Sequence, residues 1–441
     1  MARGLVTPEK IRNLQRKLYV KAKREPSFRF YQLYDKVYRA DILEHAYRLR
    51  RSAGGAAGVD EVTFEDIEAS GAEEWLRSLA TELKEGSYKP QPVRRVMIPK
   101  ANGGTRPLGI PTLRDRVVQT AVMLVVEPIF EADFEPDAYG YRPKRSAQDA
   151  VKEVLEGLKR GECHVVDADL SKYFDTIPHQ ELMKSVARRI VDRKLLHLIK
   201  MWLKAPVEET NERRKKVLRG SGKEGTPQGG VISPLLANIY IHRLLRAWIR
   251  FDLERKLGAR IINYADDLVI LCRSAVGAED AYAWLCWIVE KLRLRLNETK
   301  TCTRHARTEA FDFLGYTFGP TVARSTGLTY VGAAPSTKAV DRAKQRMKSV
   351  LCASNQAPLE EVVARLNRGR VGWANYFSVG AVRPSYRALD NYLYAQLRRF
   401  LRRRHKVPSR RTLPYSYRFL VEHDVVFLQD WHRRRTSHAF S

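Results

Sequence analysis

The sequence predicts an α+β body followed by an all-helical, basic unit, and three observations point to it. Between about residues 92 and 330 short β-rich runs alternate with helical ones. Beyond Pro335 apolar positions recur at helical spacing, and Lys338, Arg342, Lys344, Arg346 and Lys348 crowd one amphipathic segment, with further helices at Leu359 to Asn367 and Leu389 to Arg404. Up to about residue 90 the pattern is helical and rich in charge, as in Arg39 to Arg50 and Trp75 to Leu83, joined by the small-residue loop Ser52 to Gly58. At 441 residues the chain exceeds what one hydrophobic core usually organises, so two or three packed units are expected.

Composition narrows the partners. The chain has 79 Lys+Arg against 50 Asp+Glu, a net charge of +29. Such an excess favours a polyanion, nucleic acid first, with ribosome association or a plain cationic surface as the bland alternatives. With 44% apolar residues it is the composition of a folded protein and not of a disordered basic tail. Cys163, Cys272, Cys286, Cys302 and Cys352 are odd in number, widely spaced and without a CxxC pair, so neither a disulfide framework nor a zinc site is indicated. The longest apolar stretch, Val117 to Phe130, is broken by Gln119, Thr120 and Glu127, and the basic start lacks a signal-peptide core. No membrane partner and a cytoplasmic location are expected.

Taken in order, the first chemical feature is a hairpin. Arg94 to Pro99 and Thr105 to Ile110 bracket Asn102-Gly103-Gly104, a strong turn signal. Lys100 and Arg106 would then face one region, a reasonable clamp for a triphosphate. Next, Val165 to Leu170 reads as a strand ending in a carboxylate, with Ser171 to Asp175 and Ile177-Pro178-His179 leading into a helix. The segment Gly225-Thr226-Pro227-Gln228-Gly229-Gly230 precedes a helix start at Ser233-Pro234, where glycines permit close backbone approach and Gln228 offers a hydrogen-bonding side chain.

Ile261 to Tyr264 and Leu268 to Leu271 flank Ala265-Asp266-Asp267, a β-hairpin with adjacent carboxylates at its tip. Alone, such a turn is commonly just solvated. A second carboxylate strand changes the weighting, because two-metal phosphoryl transfer needs acidic groups converging from separate strands around ions ~3.5–4 Å apart. Asp169 facing Asp266 would supply this, and Asp167, two residues earlier on the same strand face, is the competing choice. At the C-terminal end Arg402 to Lys406, Arg410-Arg411 and Arg433 to Arg435 alternate with Tyr415, Tyr417 and Trp431, a pattern suited to backbone charge plus base stacking.

These pieces stand in the order found in reverse transcriptases, and the chain resembles the group II intron-encoded reverse transcriptase/maturase family, in its form without an HNH endonuclease domain. The matching stretches are Ile98-Pro99-Lys100 through Pro111, Tyr139 to Pro143, Asp169 through Asp175, Thr226 to Gly230, Tyr264 to Asp267, Leu296-Asn297 with Lys300, Phe313 to Tyr316, and Gly372 to Phe377. The resemblance covers most of the chain, from about residue 30 to 405.

The resemblance implies an α+β right-hand polymerase of fingers and palm with an all-helical thumb and a short basic C-terminal segment. Its divisions would be an N-terminal extension and start of the fingers at 1–90, fingers and palm at 91–330, a thumb/maturase domain at 331–405, and a DNA-binding segment at 406–441. It makes Asp169, Asp266 and Asp267 the catalytic, metal-binding carboxylates, preferring Asp169 to Asp167. Lys100, Arg106, Phe174 and Gln228 would bind the dNTP, with Phe174 under its sugar to exclude a 2′-hydroxyl.

The loop Gly54 to Asp60 resembles part of an extension thought to hold the template. No paired cysteines with a His/Asn/His arrangement follow the basic tail, which puts second-strand cleavage by this chain in doubt and leaves a nick, a fork or another 3′ end as primer. The implied activity is RNA-directed DNA synthesis with two Mg²⁺ ions, on an RNA template that includes group II intron RNA, from a DNA primer or target, in a bacterial cell. A splicing cofactor and a domesticated enzyme of repair or defence are the alternatives. Oligomeric state is not indicated.

Overall fold

The computed structural model describes residues 5–99, 104–210, 216–220, 222–227, 229–322, 326–407 and 415–437. Helices α1 (Glu9–Arg24), α2 (Tyr34–Val37), α3 (Ala40–Ala53), α4 (Phe64–Ser70) and α5 (Ala72–Glu85) come first. Thr63 starts α4 with a capping box, its hydroxyl accepting from Asp66 N while Asp66 accepts from Thr63 N. The expected helices at Arg39 to Arg50 and Trp75 to Leu83 are there as α3 and α5.

Strands β1 (Val93–Pro99) and β2 (Thr105–Ile110) pair antiparallel, with Ile98 opposite Arg106. The hairpin continues into α6 (Leu113–Glu131), which is buried almost all round. Among the described residues no helix is long and apolar enough to cross a bilayer. Pro128 lies inside α6 and has no N–H to give. The carbonyl of Leu124, four residues back, accepts instead from Gln15 Nε2 of α1 at 3.0 Å.

After α7 (Ala147–Lys159) come β3 (His164–Asp169), α8 (Tyr173–Thr176), α9 (His179–Ala187), α10 (Arg193–Leu203), β4 (Val207–Thr210), β5 (Lys216–Arg219), α11 (Ser233–Arg250), α12 (Leu253–Leu257), β6 (Ala259–Tyr264) and β7 (Asp267–Cys272). One sheet runs β2-β1-β4-β5, with β1 and β4 parallel. The chain goes on through α13 (Ala275–Lys291), β8 (Cys302–His305), β9 (Phe311–Phe313), β10 (Tyr316–Val322) and β11 (Thr329–Pro335). The central sheet has the order β6-β7-β3-β8, antiparallel throughout, and β11-β10-β9 form a third. Val166, Leu268 and Ile270 of the central sheet join Tyr240 and Leu244 of α11 and Val118 of α6 in one large core.

The C-terminal part is helical: α14 (Thr337–Val350), α15 (Leu359–Tyr376), α16 (Arg383–Arg404), α17 (Tyr417–Glu422) and α18 (Leu428–Ser437). It has its own core around Val362, Leu389, Leu393 and Leu397. Tyr415, Leu420, Phe427 and Leu428 belong to that core, so residues 415–437 close the helical unit and do not stand off beyond residue 405 as a separate tail. Tyr415, expected as a stacking platform for bases, is only 7% exposed for this reason, whereas Tyr417 is 45% exposed. A third apolar cluster ties the units together, with Phe377, Val379 and Trp373 meeting Phe313, Tyr316 and Phe318 of the third sheet. All five cysteines are free.

Candidate active site

Four backbone segments converge at one end of the central sheet. The β6–β7 hairpin turns through Ala265, whose φ is +59°, and presents Asp266 and Asp267 as expected. Asp169, the last residue of β3, stands directly opposite Asp267 on β7. Three contacts fix the backbone there: Leu170 N donates to Asp266 O at 3.2 Å, Asn297 N to Asp169 O at 2.8 Å, and Ser171 N to Arg295 O at 2.8 Å.

The turn is held from its other side by the segment around Gly140. Tyr139 N donates to Asn263 O and Asn263 N to Asp137 O, both at 2.9 Å, adding a short strand-like strap beside β6. Asn263 Nδ2 donates to Ala265 O at 2.8 Å, and Asn238 Nδ2 of α11 to Gly140 O at 2.7 Å. A Cβ at Gly140 would lie 2.4 Å from Ala265 N, so only glycine lets the strap come this close.

The charges are like-signed and desolvated. Burial, then Asp266 and Asp169, pushes the Asp267 carboxyl up to about 7. Asp266 is also raised, by burial first and with Asp169 adding, while its own backbone N–H, Arg106 and Lys300 oppose. Lys300 Nζ reaches Asp169 Oδ2 at 2.9 Å, and Asn297 Nδ2 donates to the same oxygen at 2.9 Å. Asp167, the competing choice, sits mid-strand between Val269 and Cys302 and is pushed up to about 6 by burial. It does not line the cleft, whereas Asp169 and Asp266 do.

The cleft has a volume of about 990 Å³ and is also lined by Arg106, Tyr141, Phe174 and Lys300. Phe174 is 7% exposed, with Tyr141 edge-on to it at 6.1 Å between ring centroids and Thr226 N donating to its carbonyl at 2.7 Å. Arg106 therefore shares the cleft with Asp169 and Asp266, while Asp267, beside them on β7, does not line it. Lys100 and Gln228 lie outside the described residues. Their neighbours are informative: at Gly229, φ +113°, a Cβ would stand 2.1 Å from Gly109 O, so the glycine loop docks directly on β2.

The sequence reading gave no role to Tyr141, Asn297 or Lys300 at this site. Lys300 lies 131 residues from Asp169 and carries no local pattern; its place in the ordered stretches was the only available signal.

The donor set suits a hard divalent cation. Among the described residues no three Asp, Glu, His or Cys side chains close into a ready metal cage. Crowding anions in a partly buried corner costs stability unless cations join them.

Residues 98–318 match the reverse transcriptase (RNA-dependent DNA polymerase) family, and residues 340–417 the group II intron maturase-specific domain. Protein YkfC of Escherichia coli is 38% identical over 341 residues, covering 69% of this chain and 87% of that protein. The group II intron-encoded protein LtrA of Lactococcus lactis is 31% identical over 350 residues, 65% of this chain and 56% of LtrA's length. A structure of telomerase from Candida albicans gives a TM-score of 0.42 at 13% identity, over 75% of this chain and 64% of that one, too slight a likeness to carry any argument. The chain belongs to the reverse transcriptases, RNA-directed DNA polymerases that use divalent metal ions, and within them to the group II intron type with a maturase-specific domain.

Proposed function

We propose that Asp169, Asp266 and Asp267 are the catalytic carboxylates of RNA-directed DNA synthesis and would hold two Mg²⁺ ions. The observation that carries this reading is the direct register of Asp169 against Asp267, with Asp266 adjacent and both hairpin carboxyls raised by burial. Bound there, the ions would supply charge stabilisation to a primer 3′-hydroxyl attacking the dNTP α-phosphate as pyrophosphate leaves. Arg106 draws the triphosphate toward the cleft. Phe174, with Tyr141 edge-on, forms a wall beneath the sugar that a 2′-hydroxyl would strike. Lys100 and Gln228 keep their nucleotide-binding assignment on sequence grounds.

The template is an RNA, group II intron RNA in particular, and the primer a DNA strand in a bacterial cell. Fingers and palm reach to about residue 330 and the helical thumb/maturase domain follows; the basic residues from 406 on, whose apolar neighbours 415–428 pack into that helical unit, would meet DNA from its surface. The test is primer extension on an RNA template by Asp266→Ala/Asp267→Ala. Extension is expected to fall at least ~10³-fold, as for loss of a dominant electrostatic element, with RNA binding retained. Synthesis at the normal rate would sink the assignment.

A second activity, assistance of intron splicing, is favoured by the maturase-specific match over residues 340–417. Splicing of a parent intron at low Mg²⁺ by the same double variant separates the two. Retained splicing makes them independent, and lost splicing makes the carboxylates necessary to both.

A further inference from the structure

Gln119 and Thr120 interrupt the apolar run of α6, and both are buried, Gln119 at 5% exposed and Thr120 at 0%. A polar side chain in such a place is tolerated when its hydrogen bonds are made. Thr120 makes its bond locally, the hydroxyl donating to Arg116 O at 2.7 Å. Gln119 reaches 112 residues along the chain instead. Its Oε1 accepts from Val231 N at 2.8 Å and from Ile232 N at 3.4 Å.

Those two N–H groups stand where the glycine loop, Gly225 to Gly230, enters α11. A helix start needs acceptors for its first N–H groups, and Ile232 at the N-cap position supplies none from its side chain. Ser233 N turns back to Gly230 O at 3.3 Å, and Pro234 has no N–H to satisfy. Gln119 provides the acceptor that the local sequence lacks. The flanks of the loop are held elsewhere: Thr226 N donates to Phe174 O at 2.7 Å, Gly225 N donates to Ile177 O at 2.8 Å, and Gly229 packs on Gly109 O of β2.

The same face of α6 also supports the β1–β2 hairpin. Asp115 lies at i−4 from Gln119, one helical turn away. Its carboxylate accepts from the Tyr88 hydroxyl and, at 3.1 Å, from Gln91 N just ahead of β1. One helix face thus carries the hairpin that bears Arg106 and the loop that follows Phe174. Between the two supports is a cavity of about 10 Å³, lined by Gln91, Asp115, Gln119, Pro227 and Ser233. It has room for one water at most, so contact fixes the separation of loop and hairpin.

We infer that Gln119 is a positioning residue of the nucleotide site: through Val231 N and Ile232 N it sets where the glycine loop stands against the hairpin and the Phe174 segment. The inference rests on the reading that Gln228 of this loop binds the dNTP. Gln119 does not line the cleft, so its effect falls on nucleotide binding and not on the chemical step.

The experiment measures single-nucleotide extension by the full chain on a DNA primer and RNA template, with each dNTP titrated in turn. Gln119→Met keeps the length and removes the acceptor. It should raise KM about tenfold for every dNTP and leave kcat within about twofold. Gln119→Glu keeps an acceptor oxygen, favoured at a helix N-terminus, and should bring KM back to within about threefold of the wild type. Amide exchange reads the loop without catalysis: protection at 225–232 alone should drop at least ~10-fold in Gln119→Met and persist in Gln119→Glu. Should Gln119→Met fail to fold, Ser233→Ala is read in its place, because it removes the hydroxyl that donates to Pro227 O at 2.8 Å. Its KM should rise about threefold. A normal KM in the variant read, a fall in kcat at unchanged KM, protection lost over the whole chain, or no rescue by Gln119→Glu overturns the inference. Two further variants keep it apart from the reading beneath it. Normal extension by Asp266→Ala/Asp267→Ala would remove the active-site assignment, and a normal KM in Gln228→Ala the role of Gln228. A raised and rescuable KM in Gln119→Met would still show that the loop held by Gln119 governs nucleotide binding.

Discussion

The palm and the helical unit both bury charge, and they do so in opposite ways. In the helical unit Arg370 and Asp390 are each 3% exposed at the side chain and pair with one another. Asp390 also accepts from Leu428 N at 2.8 Å and Gln429 N at 2.9 Å, and Arg370 donates to Val426 O. The two charges face each other, with only Arg370 Nε left without a partner among the described residues, and the pair pins α18 and the preceding turn onto α15 and α16. In the palm, Asp266 and Asp267 lie half-buried beside Asp169, all of one sign, with Lys300 reaching only Asp169. Matched buried charge organises architecture. Unmatched buried charge is held for a ligand, at a cost in stability that the surrounding sheet bears.

The largest difference should come from removing one partner of the matched pair. Asp390→Ala would leave Arg370 charged and buried, with two backbone N–H groups unsatisfied. A loss of about 3–5 kcal/mol is expected in denaturant unfolding, with the helical unit opening first. A loss below about 1 kcal/mol would mean the pair is not what holds the C-terminal turn.

Glu127 of α6 sharpens the comparison because it is a half-buried carboxyl that has no ion pair among the described residues. Burial, then Glu131, pushes it up to about 7 from 4.5. A carboxyl whose folded value lies above its unfolded value binds its proton more tightly in the folded state. Its contribution is therefore most favourable below about 4.5 and is lost as pH rises toward about 7, beyond which the cost is constant. Glu127→Gln should remove this slope and add about 1–3 kcal/mol at pH 8, read by urea unfolding at pH 5 and pH 8. Parallel pH profiles for the two proteins would contradict it.

The smallest expected effect concerns selectivity. Phe174→Ala opens the floor beside Tyr141 and should raise ribonucleotide over deoxyribonucleotide incorporation by about tenfold, equivalent to ~1.4 kcal/mol. Unchanged sugar selection would take Phe174 out of that role.

Much of the contrast was legible in the sequence, for identifiable reasons. Hairpins announce themselves locally, so Asp266 and Asp267 at a turn, the β1–β2 pairing and the Ser233-Pro234 helix start followed from turn chemistry and periodicity. Residue spacing alone could not separate Asp169 from Asp167, since both point to the same face of β3; the pairing of Asp169 with Asp267 and its place on the cleft distinguish them. Lys300, Tyr141 and the Arg370–Asp390 pair depend on chain crossings that no local pattern encodes. The basic tail was read from charge, yet its apolar residues Leu420, Phe427 and Leu428 decide where it sits. Their i, i+7, i+8 spacing is helical, but the chain turns between α17 and α18, so the three do not form the face of one helix.

The central claim, that the palm's like-signed carboxylates are kept for divalent cations, is tested most directly by thermal unfolding with and without Mg²⁺, comparing the wild type with Asp266→Asn/Asp267→Asn. The variant should melt higher than the wild type without Mg²⁺, because the repulsion is gone. Mg²⁺ should raise the midpoint of the wild type and leave that of the variant in place. A wild type indifferent to Mg²⁺, or a variant that responds equally, would contradict the account.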